Sequence, residues 1–245
     1  MLEKRVLAIR KATDAPPKNQ LLAALSASDF RHLRPFLKTV SIHGKQVLHS
    51  RDGRVDAVYF LNGGVASITT VLSDGTRMET ATVGHEGVLG IEAFFHADAV
   101  AWGDTLMQVS YTSAERLDVR HFRRELVKCR AFDNLIGHYA HVFIAQMMLA
   151  SACRAKHQVP QRCADSLLMT HDRMHQQDFK LSHEVLAEML GARRPTVTAA
   201  TIALQAAGII RYRHGRVTVL DRQRLARASC QCHTIFRAYF SRLRP

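Results

Sequence analysis

The chain has 245 residues, enough for one or two domains with a substantial core, and its 47% hydrophobic and 22% charged residues exclude a largely disordered protein. A formal net charge of +13 is unevenly spread: residues 160–245 hold 14 Lys and Arg against 6 Asp and Glu, whereas the first 159 hold 20 against 15. So basic a C-terminal part argues for nucleic acid over an acidic small substrate, without separating DNA from RNA or from an anionic membrane surface.

In chain order, residues 1–19 are polar and charged, close on Ala15-Pro16-Pro17 and read as a loosely attached N-terminal arm. Glu3, Lys4, Arg5, Arg10 and Lys11 have no sustained apolar core behind them, which predicts neither a signal peptide nor an anchor and hence a cytoplasmic protein. A sensor domain is expected over 20–130. It opens with short helices carrying Leu21, Leu22, Leu25, Phe30, Leu33 and Phe36, with Ser26 and Ser28 as candidate caps. Between Val40 and Leu117, runs such as Ala57 to Leu61, Val65 to Val71 and Met78 to Val83 alternate with turn signals at Asn62-Gly63-Gly64, Ser73-Asp74-Gly75 and Gly84-His85-Glu86-Gly87. That spacing predicts a small antiparallel β-barrel or jelly roll, enclosing a ligand or filled by its own side chains.

A charged helix around Val119 to Lys128 and a long one over about Phe132 to Lys156 follow. In the long helix Phe132, Leu135, Tyr139, Val142, Gln146, Leu149 and Cys153 recur at three-and-four spacing, while Ile136, Phe143 and Met147 form a second stripe. Two apolar faces need two partners. The simplest arrangement lays one on the barrel and makes Phe132, Leu135, Tyr139, Val142, Gln146 and Leu149 a homodimer interface; a helix buried within a monomer is the alternative. The apolar stretch Val142 to Cys153 is too short to span a bilayer, so no membrane partner is expected. His157-Gln158-Val159-Pro160 reads as a hinge, which bounds a dimerisation helix at 131–157, and a helix around Gln161 to His171 begins the next domain.

Residues 158–226 then carry the most informative pattern. Ser182 can cap a helix whose apolar face is Val185, Leu186, Met189 and Leu190, Gly191 permits a left-handed break, and Pro195 suits the first turn of a second helix with Val197, Ala200, Thr201 and Leu204 inward. This is the spacing of a helix-turn-helix, with Arg193, Arg194, Thr196 and Thr198 near the exposed start of the recognition helix, where base edges and phosphates are met. After Gly208, two runs rich in β-branched residues surround a Gly turn, a winged-helix hairpin whose tip crowds Arg211, Arg213, His214 and Arg216. A like-charge cluster there suits a polyanion; a solvated basic turn is the alternative. Residues 227–245 read as a tail. Five cysteines, Cys129, Cys153, Cys163, Cys230 and Cys232, suggest reduced thiols, and Cys230-Gln231-Cys232-His233 offers two thiols and one imidazole, short of a tetrahedral metal set. No metal site is therefore expected. With no Gly-rich phosphate loop, nucleophile elbow or His-Glu-x-x-His motif, no enzyme is expected either.

The order of barrel, long helix, hinge and winged helix, with Val58-Tyr59-Phe60 before Asn62-Gly63-Gly64, Ser73-Asp74-Gly75 and Gly84-His85-Glu86-Gly87-Val88-Leu89-Gly90, resembles the Crp/Fnr family of transcription regulators over roughly Leu21 to His233. The resemblance implies an α+β homodimer whose barrel receives a signal and whose winged helices bind a palindromic double-stranded DNA operator, with RNA polymerase as a further partner. It places an effector pocket at Gly87, Gly90 and Glu92. Cyclic-nucleotide-binding members set an Arg-Ser pair against the phosphate, whereas His96 to Asp104 here has no Arg or Lys and two carboxylates, so cyclic AMP is not expected to bind. The absence of Cys before Cys129 speaks against an iron–sulfur cluster, and His85 and His96 in loops are weak candidates for haem. Where the best-known members open the recognition helix with Arg-Glu and a further Arg, this chain has Arg194, Pro195 and Ala199, implying a different operator. The alternative is a winged-helix protein that binds RNA or coats the nucleoid without choosing a sequence.

Overall fold

The computed structural model describes residues 9–11, 16–109, 112–174 and 176–241. Strand β1 (Ile9–Lys11) pairs antiparallel with β2 (Leu37–Ile42), so part of the expected loose arm is instead an edge strand. Asn19 ties the arm down further: fully buried, it caps α1 (Gln20–Ala23) through Oδ1, and its Nδ2 donates to the carbonyls of Leu61 at 3.0 Å and Gly87 at 2.8 Å. A buried side-chain amide is tolerated because each of its groups finds a partner. Ser26 caps α2 (Ala27–Leu33) through the Asp29 N–H at 3.1 Å, as its position predicts.

Strands β3 (Val47–His49), β4 (Ala57–Leu61), β5 (Val65–Val71), β6 (Arg77–Val83) and β7 (Val88–Leu89) complete the first half of a jelly roll; α3 (Glu92–Phe95), β8 (Asp104–Val109) and β9 (Thr112–Asp118) finish it. They form two antiparallel sheets, in the orders β1-β2-β9-β4-β7 and β3-β8-β5-β6. β4 is buried along its whole length, because one face meets the other sheet and the other meets helices, which is why it reads as a continuous apolar run. Gly64 (φ +76°) and Gly75 (φ +83°) supply the left-handed turns between β4 and β5 and between β5 and β6.

Helix α4 (Val119–Lys128) leads into α5 (Arg130–Lys156), whose 27 residues are long and apolar enough by length and composition to cross a membrane. The shorter apolar stretch visible in the sequence underestimates it, and part of this apolarity is taken up by packing: Ile136 and Phe143 join Phe132, Tyr139 and Val142 in the barrel's core cluster. Four of the six residues expected at a dimer interface are taken up in this way. Phe132, Tyr139, Val142 and Gln146 are buried within the chain itself, Tyr139 Oη donates to the Val88 carbonyl at 3.2 Å and Gln146 Nε2 to that of Thr82 at 2.9 Å. Leu135 and Leu149 are half-buried. The strip left to solvent carries Asn134, His138, His141, Ile144, Met148 and Ser151, with Met148 69% exposed. With two apolar stripes, periodicity cannot say which one meets the barrel; the shape of the barrel decides.

The helix breaks at His157-Gln158, and α6 (Val159–Met174) starts the second core, which also holds β10 (Asp178–Lys180), α7 (His183–Leu190), α8 (Arg194–Ala206), β11 (Ile210–Arg213), β12 (Arg216–Val219) and α9 (Arg222–Ala228). β10 is a strand the sequence pattern does not announce; it extends the wing to the order β10-β12-β11. The expected tail contains α10 (Cys232–Ser241), packed on α5 and α6, with Phe240 against Tyr139 at 6.3 Å between ring centroids.

Candidate nucleic-acid interface and its coupling to the barrel

The helix-turn-helix forms for the local reasons its residues give. Ser182 Oγ accepts from the Val185 N–H at 3.2 Å, Gly191 ends α7 in the left-handed region (φ +55°), and the Ala192 N–H closes back on the Ala187 carbonyl at 3.0 Å. Pro195 lies in the first turn of α8, where its missing N–H costs nothing, and Arg193 occupies the N-cap without a side-chain bond, leaving the positive end of the helix uncapped toward solvent.

Of the expected contact residues, Arg193, Arg194 and Thr196 are exposed at that helix start. Arg194 Nη1 rests on Glu184 Oε1 at 2.9 Å; both side chains are more than 60% exposed, so the pair is worth little. Thr198 is turned inward instead, its Oγ1 3.3 Å from His183 Nδ1. His183 is a residue the sequence pattern passes over. Its Nε2 also meets Thr201 Oγ1 at 2.9 Å, and its ring stacks on Tyr212 of the wing with centroids 4.1 Å apart. Tyr212 in turn donates through Oη to the Leu181 carbonyl at 3.0 Å and through its N–H to Gln205 at 2.7 Å. Burial first, and the Arg194 charge second, lower the His183 pKa, so a neutral imidazole fixes the angle between recognition helix and wing.

The wing tip turns through His214 (φ +48°) and Gly215 (φ +70°), two left-handed residues as a twisted two-residue hairpin requires. This places Arg213 opposite Arg216, with Arg211 two residues back; all three and His214 are exposed, and Arg216 is paired with Asp178 of β10.

The motif Gly84-His85-Glu86-Gly87 acts as a junction between the domains. A Cβ on Gly84 would stand 2.7 Å from Arg173 of α6, and one on Gly87 would stand 2.5 Å from the Tyr139 hydroxyl, so both glycines make room for side chains from the helices. Arg173, 4% exposed, donates to Thr82 Oγ1 at 2.6 Å and pairs with Glu86 Oε1 at 2.7 Å. Burial works against the Glu86 carboxylate, but the Arg173 charge and backbone N–H groups, that of Gly84 among them, hold its pKa below the usual range. Gly87, expected in an effector pocket, is therefore taken up by packing. Gly90 (φ +82°) lies against the Ala57 carbonyl and His49, and the buried Glu92 accepts the Trp102 N–H at 3.1 Å. Asp98 of the following loop pairs with Arg54 at 2.8 Å, and Asp104, at the start of β8, pairs with Arg77 at 2.7 Å. His85 bonds Gln20 at 2.8 Å, and His96 is exposed, its Nδ1 accepting the Asp98 N–H at 3.1 Å.

Two cavities lie at the junction. One of about 110 Å³ is bounded by Glu79, Gln146, Arg154, Arg162 and Arg173 among others, and one of about 340 Å³ by His85, Asp172, Arg222 and Phe240. In the first, burial pushes Glu79 up to about 7 against the Ser67 hydroxyl and the charges of Arg154 and Arg173. Beside the second, Asp172 takes Arg222 in a two-point contact at 2.8 Å and His233 at 3.0 Å. Burial opposes ionisation there, but those two partners hold the carboxylate far below its ordinary range. His233 is thus withdrawn from Cys230 and Cys232. Those two thiols instead meet Cys153 and His157, so four donor atoms gather where the sequence offered three.

Residues 161–228 match the family model of the Crp-like helix-turn-helix domain. No curated protein matches the chain in sequence. Among solved structures, FixK2 from Bradyrhizobium japonicum is 17% identical with a TM-score of 0.68, the match covering 79% of this chain and 98% of that one. A Crp-family transcriptional regulator from Thermus thermophilus, TTHB099, is 20% identical over 77% of this chain and 95% of its own, with a TM-score of 0.63. The c-di-GMP-responsive global regulator CLP of Xanthomonas campestris is 14% identical over 79% and 99%, with a TM-score of 0.61.

Proposed function

We propose that the chain, which carries a Crp-like helix-turn-helix domain and the fold of Crp/Fnr regulators, is a transcription regulator with a sensor part and a DNA-reading part that works as a homodimer on a two-fold symmetric DNA operator. The observation that carries this reading is the joint exposure of Arg193, Arg194 and Thr196 at an uncapped helix start and of Arg211, Arg213, His214 and Arg216 on the wing. Arg194 reads a guanine edge in the major groove, and the wing arginines hold phosphates. Two copies address half-sites about 34–36 Å apart, one helical turn. The exposed strip of α5 is the dimer face, since its Ile144 and Met148 are otherwise left in water. The protein acts by binding, in the cytoplasm, with RNA polymerase as the partner through which transcription responds.

The barrel receives a signal other than cyclic AMP. The segment that corresponds by resemblance to the phosphate-binding Arg-Ser pair carries Asp98 and Asp104 and no Arg or Lys, which supports this reading. Glu92 beside Gly90 is the polar group of the proposed effector site.

Selection of bound duplexes from a random pool tests the reading: recovery of a palindrome is expected, and sequence-indifferent binding, or preference for RNA, overturns it. Calorimetry with cyclic AMP is expected to give no heat at micromolar concentrations.

A further inference from the structure

Cys153 and His157 stand one helical turn apart at the end of α5, so both side chains point the same way. Cys230 comes from the short connection between α9 and α10 and Cys232 opens α10, both beyond the Crp-like domain. Their donor atoms, three Sγ and one imidazole nitrogen, all lie within 4.8 Å of one another. The Cys153 and Cys230 sulfurs are 3.6 Å apart, and Cys232 Sγ is 3.6 Å from His157 Nδ1.

These distances have a chemical meaning. In a tetrahedron with metal–sulfur bonds of about 2.3 Å and metal–nitrogen bonds of about 2.0 Å, the sulfur–sulfur edge is about 3.8 Å and the sulfur–nitrogen edge about 3.5 Å. A disulfide instead needs sulfurs at about 2.05 Å. Both 3.6 Å contacts match tetrahedral edges, and the full set within 4.8 Å needs only a small contraction to close on one ion. An iron–sulfur cubane would hold each cysteine sulfur over a separate iron and needs a wider span than four donors packed this closely.

We propose that Cys153, His157, Cys230 and Cys232 form a closed Cys3His zinc site. All four positions are filled by protein, which makes the site structural, with no open position for substrate or water. On binding, each thiol gives its proton to solvent and no electron is transferred. The zinc ties the start of α10 to the end of α5 across the His157-Gln158 break, the point about which the DNA-reading domain would turn relative to the barrel. It thereby fixes the angle between sensor and reader whatever operator is bound.

The test uses the full chain, purified under reducing conditions from zinc-supplemented cells and passed over a chelating resin. Elemental mass spectrometry is expected to find about one zinc per chain, and exchange with cobalt(II) to give thiolate-to-cobalt charge transfer with the visible bands of tetrahedral cobalt. C153S and C232S are expected to weaken zinc binding at least about tenfold, while C163S, whose thiol is buried in the helix-turn-helix core, leaves it unchanged. A wild-type protein without zinc and colourless with cobalt overturns the proposal even if the serine variants fail to fold. So does iron or copper in place of zinc, a Cys153–Cys230 disulfide formed under these conditions, or equal loss in C163S.

Discussion

Arg173 and Glu86 meet at 2.7 Å across the boundary between the two cores, one from the first helix of the DNA-reading domain and the other from a glycine-flanked turn of the barrel, and both are nearly closed to water. A buried pair of this kind is worth little against a well-packed apolar replacement, but removing one partner strands the other's charge. Arg173→Met is therefore expected to destabilise the protein by about 3–5 kcal/mol in denaturant unfolding, and Arg173→Met with Glu86→Gln to recover a large part of that loss. A double variant no better than the single one would show that Thr82 and the ring of Phe236, whose centroid lies 5.4 Å from the guanidinium, are what Arg173 serves rather than Glu86.

Gly87→Ala tests the same junction sterically. The new Cβ would stand 2.5 Å from the Tyr139 hydroxyl and 2.8 Å from its ring, so overpacking should cost about 1–3 kcal/mol in thermal unfolding. Tyr139→Phe in that background removes the closer contact and should restore part of the stability. An unchanged melting temperature would mean that Tyr139 moves aside freely.

The interface can be dissected by salt. Arg194→Ala is expected to cost about 1–3 kcal/mol on the selected operator and to relax preference at one base pair per half-site. Arg213→Ala should weaken binding on all sequences alike and lower the salt slope by about one phosphate per wing. Titrations at several ionic strengths separate the two, and a uniform loss for Arg194→Ala would reassign it to a phosphate.

Glu79 gives a pH dependence with a definite sign. Its folded pKa is raised to about 7, so between about 4.5 and 7 the folded state binds more protons than the unfolded one and stability falls as pH rises. The groups facing it are Ser67 of β5, Arg154 of α5 and Arg173 of α6. Glu79→Gln should gain on the order of 3 kcal/mol relative to wild type at pH 8 and almost nothing at pH 4, since one pKa unit corresponds to about 1.36 kcal/mol. A difference that does not grow with pH would remove Glu79 from the account.

His183 has the opposite effect. Its folded pKa is depressed, so lowering the pH below about 6.5 protonates the unfolded state first and erodes stability. His183→Gln should flatten that slope in unfolding measured between about pH 5 and 7. It should also loosen operator binding by removing the stack on Tyr212. Unaltered binding would show that Thr201 and Gln205 suffice to set the wing.

The reader is far more legible in the sequence than its coupling. Ser182, Gly191, Pro195 and the His214-Gly215 turn act on backbone within a few residues, so their chemistry dictates helix ends and hairpin directly. The Arg173–Glu86 pair and the Cys153–Cys230 contact join residues 87 and 77 positions apart, where no periodicity speaks. Thr198 is expected to face DNA because it lies one turn into α8, and it turns inward because an unremarked His183 waits there. The long helix shows the converse: its apolar residues are evident, but Gly84 and Gly87 decide which of them the barrel receives.

Helix α10 gives the path from sensor to reader the form of a closed circuit. One branch follows the peptide chain from Tyr139 along α5, through the break and into α6. The other leaves Tyr139 for the ring of Phe240, runs back along α10 to His233 and returns to α6 at Asp172. The two branches end on one helix, so α6 cannot rotate about the break without carrying α10 with it. A chain shortened to end at residue 228 would keep every proposed DNA contact and lose the second branch, leaving the peptide chain and the junction around Arg173 and Glu86 to hold its two halves.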